Sequence, residues 1–393
     1  MTNVNNLDAI VQGSPSPPDA PDAQPRRRRH WWRKWWWVVS LVTLTSLIAS
    51  VVIGSMLWKV NYVIESPGSL YTTGDRISVS GAQTYPTKDK IDLVTVSLDT
   101  RVTAFDKFLA DHFENDAIVQ PSKDVIGTQT PAQNDALNAL LMSQSKDAAV
   151  LVALQRLGYN VAPTPTGAII EDVVQGAPAD GKINIAETII AIDGTPITTV
   201  DDVHTVVGSH KPGDHVQVKL EATDKSQRTV DVALGSSTTS GNDVKCSPSP
   251  STSSTPCIGI AVTARLVYPN LPVQVSIASG SIGGPSAGLA FTLGILDAMT
   301  PGDLTAGNEV AATGTIDGTG VVGPIGGIES KVLTVARQHV KYFLVPVDDA
   351  DEAKAHAPAG LQIIPVHTLD DAINFLISLG GQGVSASSTS SGT

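Results

Sequence analysis

"GGPSAGLAFTLGILDAMT" occupies residues 283–300, and "GPIGGIESKVLTVAR" follows at residues 323–337. The first run is a Gly-Gly-Pro turn leading into an apolar helix that extends to about Met299. Pro285 fits the first turn of a helix, where no amide donor is needed, and this places Ser286 at or just inside the N-terminus. A serine there is usually a cap. A reactive serine needs a base. His339, His356 and His367 lie downstream, but none sits in a motif that would orient it. Lys331 follows Gly326-Gly327 in the first turn of a second helix. A cation is out of place at the positive end of a helix, so its pKa should fall. A neutral lysine can take a proton from a serine hydroxyl. The alternative is a solvated lysine on a helix face.

The chain has 393 residues, enough for two or three domains, and a net charge of -12, which argues against nucleic-acid binding. Its basic residues are unevenly placed: Arg26, Arg27, Arg28, Arg29, Arg33 and Lys34 lie together in "RRRRHWWRK". The uncharged run "VVSLVTLTSLIASVVIGSML", Val38 to Leu57, comes next, and twenty residues span a hydrocarbon core of about 30 Å. Trp31, Trp32, Trp35, Trp36 and Trp37 precede it and Trp58 follows, as in the aromatic belts of membrane helices. This reads as a permanent anchor. The rivals are a cleaved signal peptide and a buried soluble helix. The basic flank places the N-terminus in the cytoplasm and the rest outside. Cys246 and Cys257 bound the short loop "CSPSPSTSSTPC". In an oxidising compartment they form a disulfide, the alternative being two free thiols.

The expected division is residues 1–37, a disordered basic tail; 38–58, the transmembrane helix; and 59–160, a first extracytoplasmic segment. Within the last, "IDLVTVSL" (91–98) alternates as a strand, and Ala136, Leu140, Leu141, Ala148, Val152 and Leu154 repeat at helical spacing. Residues 161–235 read as strands, tight turns and one short helix. Residues 236–257 are a Ser/Thr/Pro-rich linker, 258–380 the chemical domain, and 381–393 a flexible tail. "GAPADGKI" has phosphate-loop spacing, but Ile183 stands where a magnesium-binding Ser or Thr is required, so no nucleotide engine is expected.

"GAII", "GAPA", "IIAIDGTPI" and "KPGD" within residues 161–235 resemble a bacterial PDZ domain of periplasmic proteases. Such domains add an extended peptide as a strand and take its carboxylate on backbone N–H groups. The matching loop would be Thr166, Gly167, Ala168 and Ile169. The bland alternative is a PDZ-like spacer.

"GGPSAG", then forty-five residues to Lys331, with "TGTIDGTGVVGPIGGIESK" and "YFLVPVDD" around it, resembles the proteolytic domain of the Lon family. With the anchor, "YVIESPG" and the PDZ-like module, the chain resembles the membrane-anchored PDZ–Lon-type proteases of Gram-positive bacteria. The resemblance implies an α+β fold in which a β-rich PDZ-like module is inserted in, or precedes, a Lon-type proteolytic α/β domain. It implies Ser286 as nucleophile, Lys331 as base and Thr313 as the residue orienting the lysine. Backbone groups of the Gly284-Pro285-Ser286-Ala287 turn would hold the oxyanion. It implies an ATP-independent endopeptidase with no cofactor and no metal. Its partners would be protein or peptide substrates and the lipid around the anchor, with no nucleic acid. A homo-oligomeric ring, a hexamer, is also implied, though no residue pattern argues it. Gly283 stands where many family members carry an acid. The competing reading is a catalytically inactive anchored PDZ adaptor.

Overall fold

The computed structural model describes residues 29–86, 90–127, 129–240, 243–249, 255–267, 271 and 273–383. Most of the expected N-terminal and C-terminal tails lies outside the described residues. The chain divides into two compact units between Ser55 and Met56. The first contains most of α1 (Arg29–Leu57). Within α1, Trp35–Leu57 is 23 residues long and solvent-exposed, and it is the one helix among the described residues long and apolar enough to cross a membrane.

The second unit opens with β1 (Tyr62–Thr72), β2 (Ile77–Ser80), β3 (Ile91–Asp99), α2 (Ala104–Phe113), β4 (Ile118–Pro121), α3 (Ser122–Val125) and α4 (Pro131–Arg156). A capping box of Thr130 with Gln133, and Pro131 in the first turn, start α4. A second group follows: β5 (Thr164–Val173), β6 (Thr188–Ile192), β7 (Thr195–Pro196), α5 (Val200–Gly208), β8 (His215–Glu221) and β9 (Gln227–Ala233). Next come β10 (Gly235–Ser240), β11 (Asp243–Ser247), β12 (Pro256–Cys257), β13 (Ile260–Val267) and β14 (Gln274–Ile277). The last group is α6 (Gly288–Met299), β15 (Val310–Ala312), β16 (Thr315–Ile316), β17 (Val322–Gly323), α7 (Ile328–Arg337), β18 (Tyr342–Pro346), α8 (Ala350–His356), β19 (Gln362–Val366) and α9 (Leu369–Ser378).

One six-stranded sheet, ordered β19-β18-β15-β3-β1-β4, joins the two ends of this unit. β15, β18 and β19 run parallel to one another and to β3, while β1 pairs antiparallel with β3 and β4. Alternate side chains feed opposite faces. Ile91, Leu93, Val310, Ala312 and Leu344 enter a core with α4, α6 and α9. Val94, Ala311, Phe343 and Val345 enter another with α7 and α8. Helices therefore cover both faces, which suits near-continuous apolar strands such as "YFLVP". α6 is apolar all round and buried along almost its whole length. Residues 59–160 thus pack with the C-terminal segment, and the second group interrupts them in sequence.

That group forms its own sheet, ordered β13-β5-β6-β8-β9 with β7 on β6, over a separate core that includes Ile170, Ile189, Val218 and Val232. The order of strands, turns and helix over 161–235 is the expected one. The neighbour of β5 is not. β13, from the far side of the presumed linker, pairs antiparallel with it. The linker itself departs from expectation. β11-β10-β12 form a small sheet, closed by a Cys246–Cys257 disulfide whose Cα atoms are 5.9 Å apart. Serine and threonine richness there reflects short strands held by backbone pairing and a crosslink.

Gly294 is where α6 closes on the sheet margin: a Cβ would lie 2.6 Å from Thr73 Oγ1 and 2.7 Å from Ile77 Cδ1. Gly294→Val is expected to destabilise the protein by about 2–3 kcal/mol through overpacking. Thermal denaturation followed by circular dichroism measures it, and an unchanged Tm would mean that this approach is not tight.

Candidate active site

A cleft of about 960 Å³ opens on the second unit, and Ser286 and Lys331 both line it. β1 and β3 contribute to one wall, α4 and the 280–287 loop to another. None of His339, His356 and His367 lines it, and His356 instead lies 3.4 Å from Glu329.

Ser286 is not in the helix. α6 begins at Gly288 with Ala287 as its N-cap and no side-chain cap bond, so Pro285 and Ser286 belong to the preceding turn. A capping role is thereby removed. The Ser286 carbonyl accepts the Gly314 N–H at 2.9 Å and the Thr313 hydroxyl at 3.2 Å. Thr313 is fully buried and its Oγ1 accepts from Lys331 Nζ at 3.3 Å. One hydroxyl thus links the lysine to the backbone of the serine. Among the described residues no hydrogen bond joins Ser286 Oγ to Lys331 Nζ directly. Apo sites often hold such groups apart until substrate arrives.

Lys331 sits in the first turn of α7, one turn after Gly327, whose φ of +69° suits glycine. It is only 3% exposed. Burial holds its pKa down to about 8, against the opposing pull of Asp349 and then Glu65. The positive helix end lies on the same side of this balance.

Sequence reasoning missed the residues that grip the Ser286 loop. Asn138 and Ser145 lie two turns apart on one face of α4. The Gly284 N–H donates to the Asn138 carbonyl at 2.8 Å, and Ser145 Oγ donates to the Pro285 carbonyl at 2.9 Å. A Cβ on Gly283 would meet the Asn138 Cβ at 3.0 Å, so the small residue allows the close approach. Of the expected oxyanion turn, Gly284 is therefore spent on Asn138 and Pro285 has no N–H. Among the described residues the N–H groups of Ser286 and Ala287 meet no acceptor, which leaves them as the pair able to receive an oxyanion.

The expected peptide loop needs correction. Ala168 and Ile169 lie on β5 between β13 and β6, so that strand has no free edge. Thr166 is bound by the Arg265 guanidinium at 3.0 Å. At Gly167 a Cβ would lie 2.6 Å from Thr188 Cγ2, so a bulky residue there would break the sheet. The edge strands of this sheet are β13 and β9, and β13 is the one beside α5. Ile258 and Gly259 lead into it, and their N–H groups meet no acceptor among the described residues.

Residues 260–378 match the profile of the Lon protease (S16) C-terminal proteolytic domain, and residues 126–234 match that of the PDZ domain. The Lon protease of Vibrio parahaemolyticus is 34% identical over 122 residues, covering 30% of this chain and 15% of that protein. The Lon protease of Azospirillum brasilense is 40% identical over 93 residues, covering 23% of this chain and 11% of its own length. The chain thus spans well under a fifth of these relatives. The solved PDZ domain of an SdrC-like protein from Listeria innocua is 23% identical, covering 24% of this chain and 92% of that one, with a TM-score of 0.20. This chain carries a Lon-type proteolytic domain and a PDZ domain, in a mixed α+β fold that includes, among the described residues, one apolar helix of membrane-spanning length.

A buried lysine with a lowered pKa weakens the fold. Below about pH 8 the charged amine is buried with its proton and the penalty is fully present; it fades as pH rises through the folded value toward the unfolded one. Lys331→Met is expected to raise stability at pH 7 by up to about 3 kcal/mol, with a smaller gain at pH 10. Urea denaturation at the two pH values measures it; an equal gain at both would show that folding does not lower the lysine's pKa.

Proposed function

We propose that this chain is a membrane-anchored, ATP-independent serine endopeptidase that uses Ser286 and Lys331 as a dyad. The observation that carries the reading is an almost fully buried lysine whose amine is tied through the Thr313 hydroxyl to the backbone of Ser286. In the acylation step Ser286 Oγ bonds to the scissile carbonyl carbon. Its proton passes to the neutral Lys331 Nζ, and the carbonyl π pair moves to oxygen, facing the N–H groups of Ser286 and Ala287. On collapse the carbon–nitrogen bond breaks, and Lys331 returns the proton to the leaving amine. Water then repeats the sequence on the acyl-enzyme, activated by the same lysine. The substrates are proteins or peptides. The basic flank of α1 supports a cytoplasmic N-terminus and an extracytoplasmic catalytic domain.

A lysine with a pKa of about 8 is about one-tenth neutral at pH 7. Peptidase activity is therefore expected to rise through about pH 8 and level above it. Ser286→Ala and Lys331→Arg are each expected to lose activity by about a thousandfold or more, the latter because arginine stays protonated. Thr313→Val should lose roughly tenfold, the value of one hydrogen bond to a charged group. Peptidase assays with a fluorophosphonate label on Ser286 check this. A folded wild type that neither labels nor cleaves would instead support the inactive adaptor.

The open β13 edge supports docking of an extended peptide whose carboxylate is taken by the Ile258 and Gly259 N–H groups. A peptide with a free C-terminus is expected to bind with at least tenfold lower Kd than its amide in fluorescence anisotropy. Equal affinities would leave this module a spacer.

A further inference from the structure

β1 carries Glu65 past the start of α7. The carboxylate lies against Gly327: a Cβ there would be 2.8 Å from Glu65 Oε1, so only a glycine admits this approach. Glu65 and Lys331, one helical turn beyond Gly327, line the same cleft. Glu65 Oε1 is buried and has no hydrogen-bond partner. An orphaned carboxylate oxygen is costly, and its presence points to a donor that is not permanently there.

The reaction supplies one. Lys331 begins the step as an amine and ends it as an ammonium with three donors, in a site where Thr313 Oγ1 is its only hydrogen-bond partner among the described residues. Few charges face it. Asp349 attracts it, but Oδ2 of Asp349 already accepts the Ile325 N–H at 3.0 Å. Glu329, on its own helix, turns to His356. Asp124 and Asp135 also line the cleft, and Asp135 is paired with Arg101. Glu65 alone among these combines a place beside α7 with a buried oxygen lacking a partner.

We propose that Glu65 is a positioning residue of the dyad, its carboxylate serving as the counter-ion for the ammonium that forms on Lys331 when the Ser286 proton is transferred. This role rests on the Ser286–Lys331 reading. It gives Lys331 a charged partner drawn from a strand outside the matched proteolytic segment of residues 260–378. Its electrostatic sign is the one required. A nearby negative charge raises the lysine's pKa and stabilises the state reached in the transition state.

The test is the pH profile of kcat for the full chain in detergent or vesicles, with a neutral peptide substrate. Glu65→Gln is expected to move the rising limb to lower pH by about one unit. The plateau kcat should fall about threefold to tenfold, because a weaker base transfers protons less well, while KM stays within twofold. Circular dichroism checks the fold. Should Glu65→Gln not fold, Glu65→Asp, which keeps the charge but withdraws it by one methylene, is expected to give a smaller shift in the same direction. A limb that does not move in the folded variant overturns the proposal. So does an effect confined to KM for peptides with a basic residue, which would make Glu65 a substrate contact. An active Ser286→Ala would sink the dyad and this role together; an inactive Ser286→Ala beside an unshifted Glu65→Gln profile would sink this role alone.

Discussion

The burial of one lysine amine is the constraint around which this site is arranged. Lys331 is 3% exposed, and water cannot compensate its charge there. Burial lowers its pKa to about 8, so a neutral amine becomes accessible at ordinary pH. The remaining polar groups follow from that displacement. The Thr313 hydroxyl accepts from the amine and donates to the Ser286 carbonyl, fixing the spacing of α7 and the Ser286 turn. Glycine at 327 lets α7 start hard against β1. The fold gives up stability to keep this charge-bearing group away from water.

Building that pocket needs both ends of the second unit. β1 and β3 come from before the PDZ-type module, while β15 and β18 come from after it, yet they share one sheet and two cores. α4 illustrates the consequence. It falls within the matched PDZ segment of residues 126–234, but it packs against α6, and Asn138 and Ser145 hold the Ser286 turn. A reverse trade occurs at β13. It falls within the matched proteolytic segment, yet it completes the PDZ-type sheet as an edge strand. The seams of structure and of sequence family therefore differ on both sides of the insertion. The chain crosses between the two bodies through β13 and then β14, directly ahead of the 280–287 loop.

Much was legible in the residues themselves. Twenty uncharged residues between tryptophans specify a membrane-length helix by local composition alone, and Trp35–Leu57 is that helix. The turns at Gly176, Asp193-Gly194 and Lys211 to Asp214 set the PDZ-type strand order, because φ and side-chain chemistry at turns are local. A buried, depressed Lys331 was also foreseeable, since a cation at a helix start after two glycines is locally misplaced. Composition misled at residues 236–257. Serine and threonine looked like linker, whereas backbone pairing and the Cys246–Cys257 bond make a sheet.

What only the tertiary structure decided were contacts across long stretches of chain. No local pattern says that Ser145 meets Pro285, that Glu65 meets Gly327, or that β13 takes the edge of β5. The free edge of the PDZ-type sheet moved from residues 166–169 to β13 for that reason: an open edge depends on which strand arrives from elsewhere. Pro285 and Ser286 likewise left the helix they were expected to begin, because α4 holds the Gly284 N–H and the Pro285 carbonyl from outside. The sequence by itself determined the helix that can span a membrane and the two kinds of domain. Tertiary packing determined that Ser286 and Lys331 line one cleft and are linked through Thr313, because the hydrogen bonds and close approaches that bring them there run between segments with no sequence neighbourhood in common.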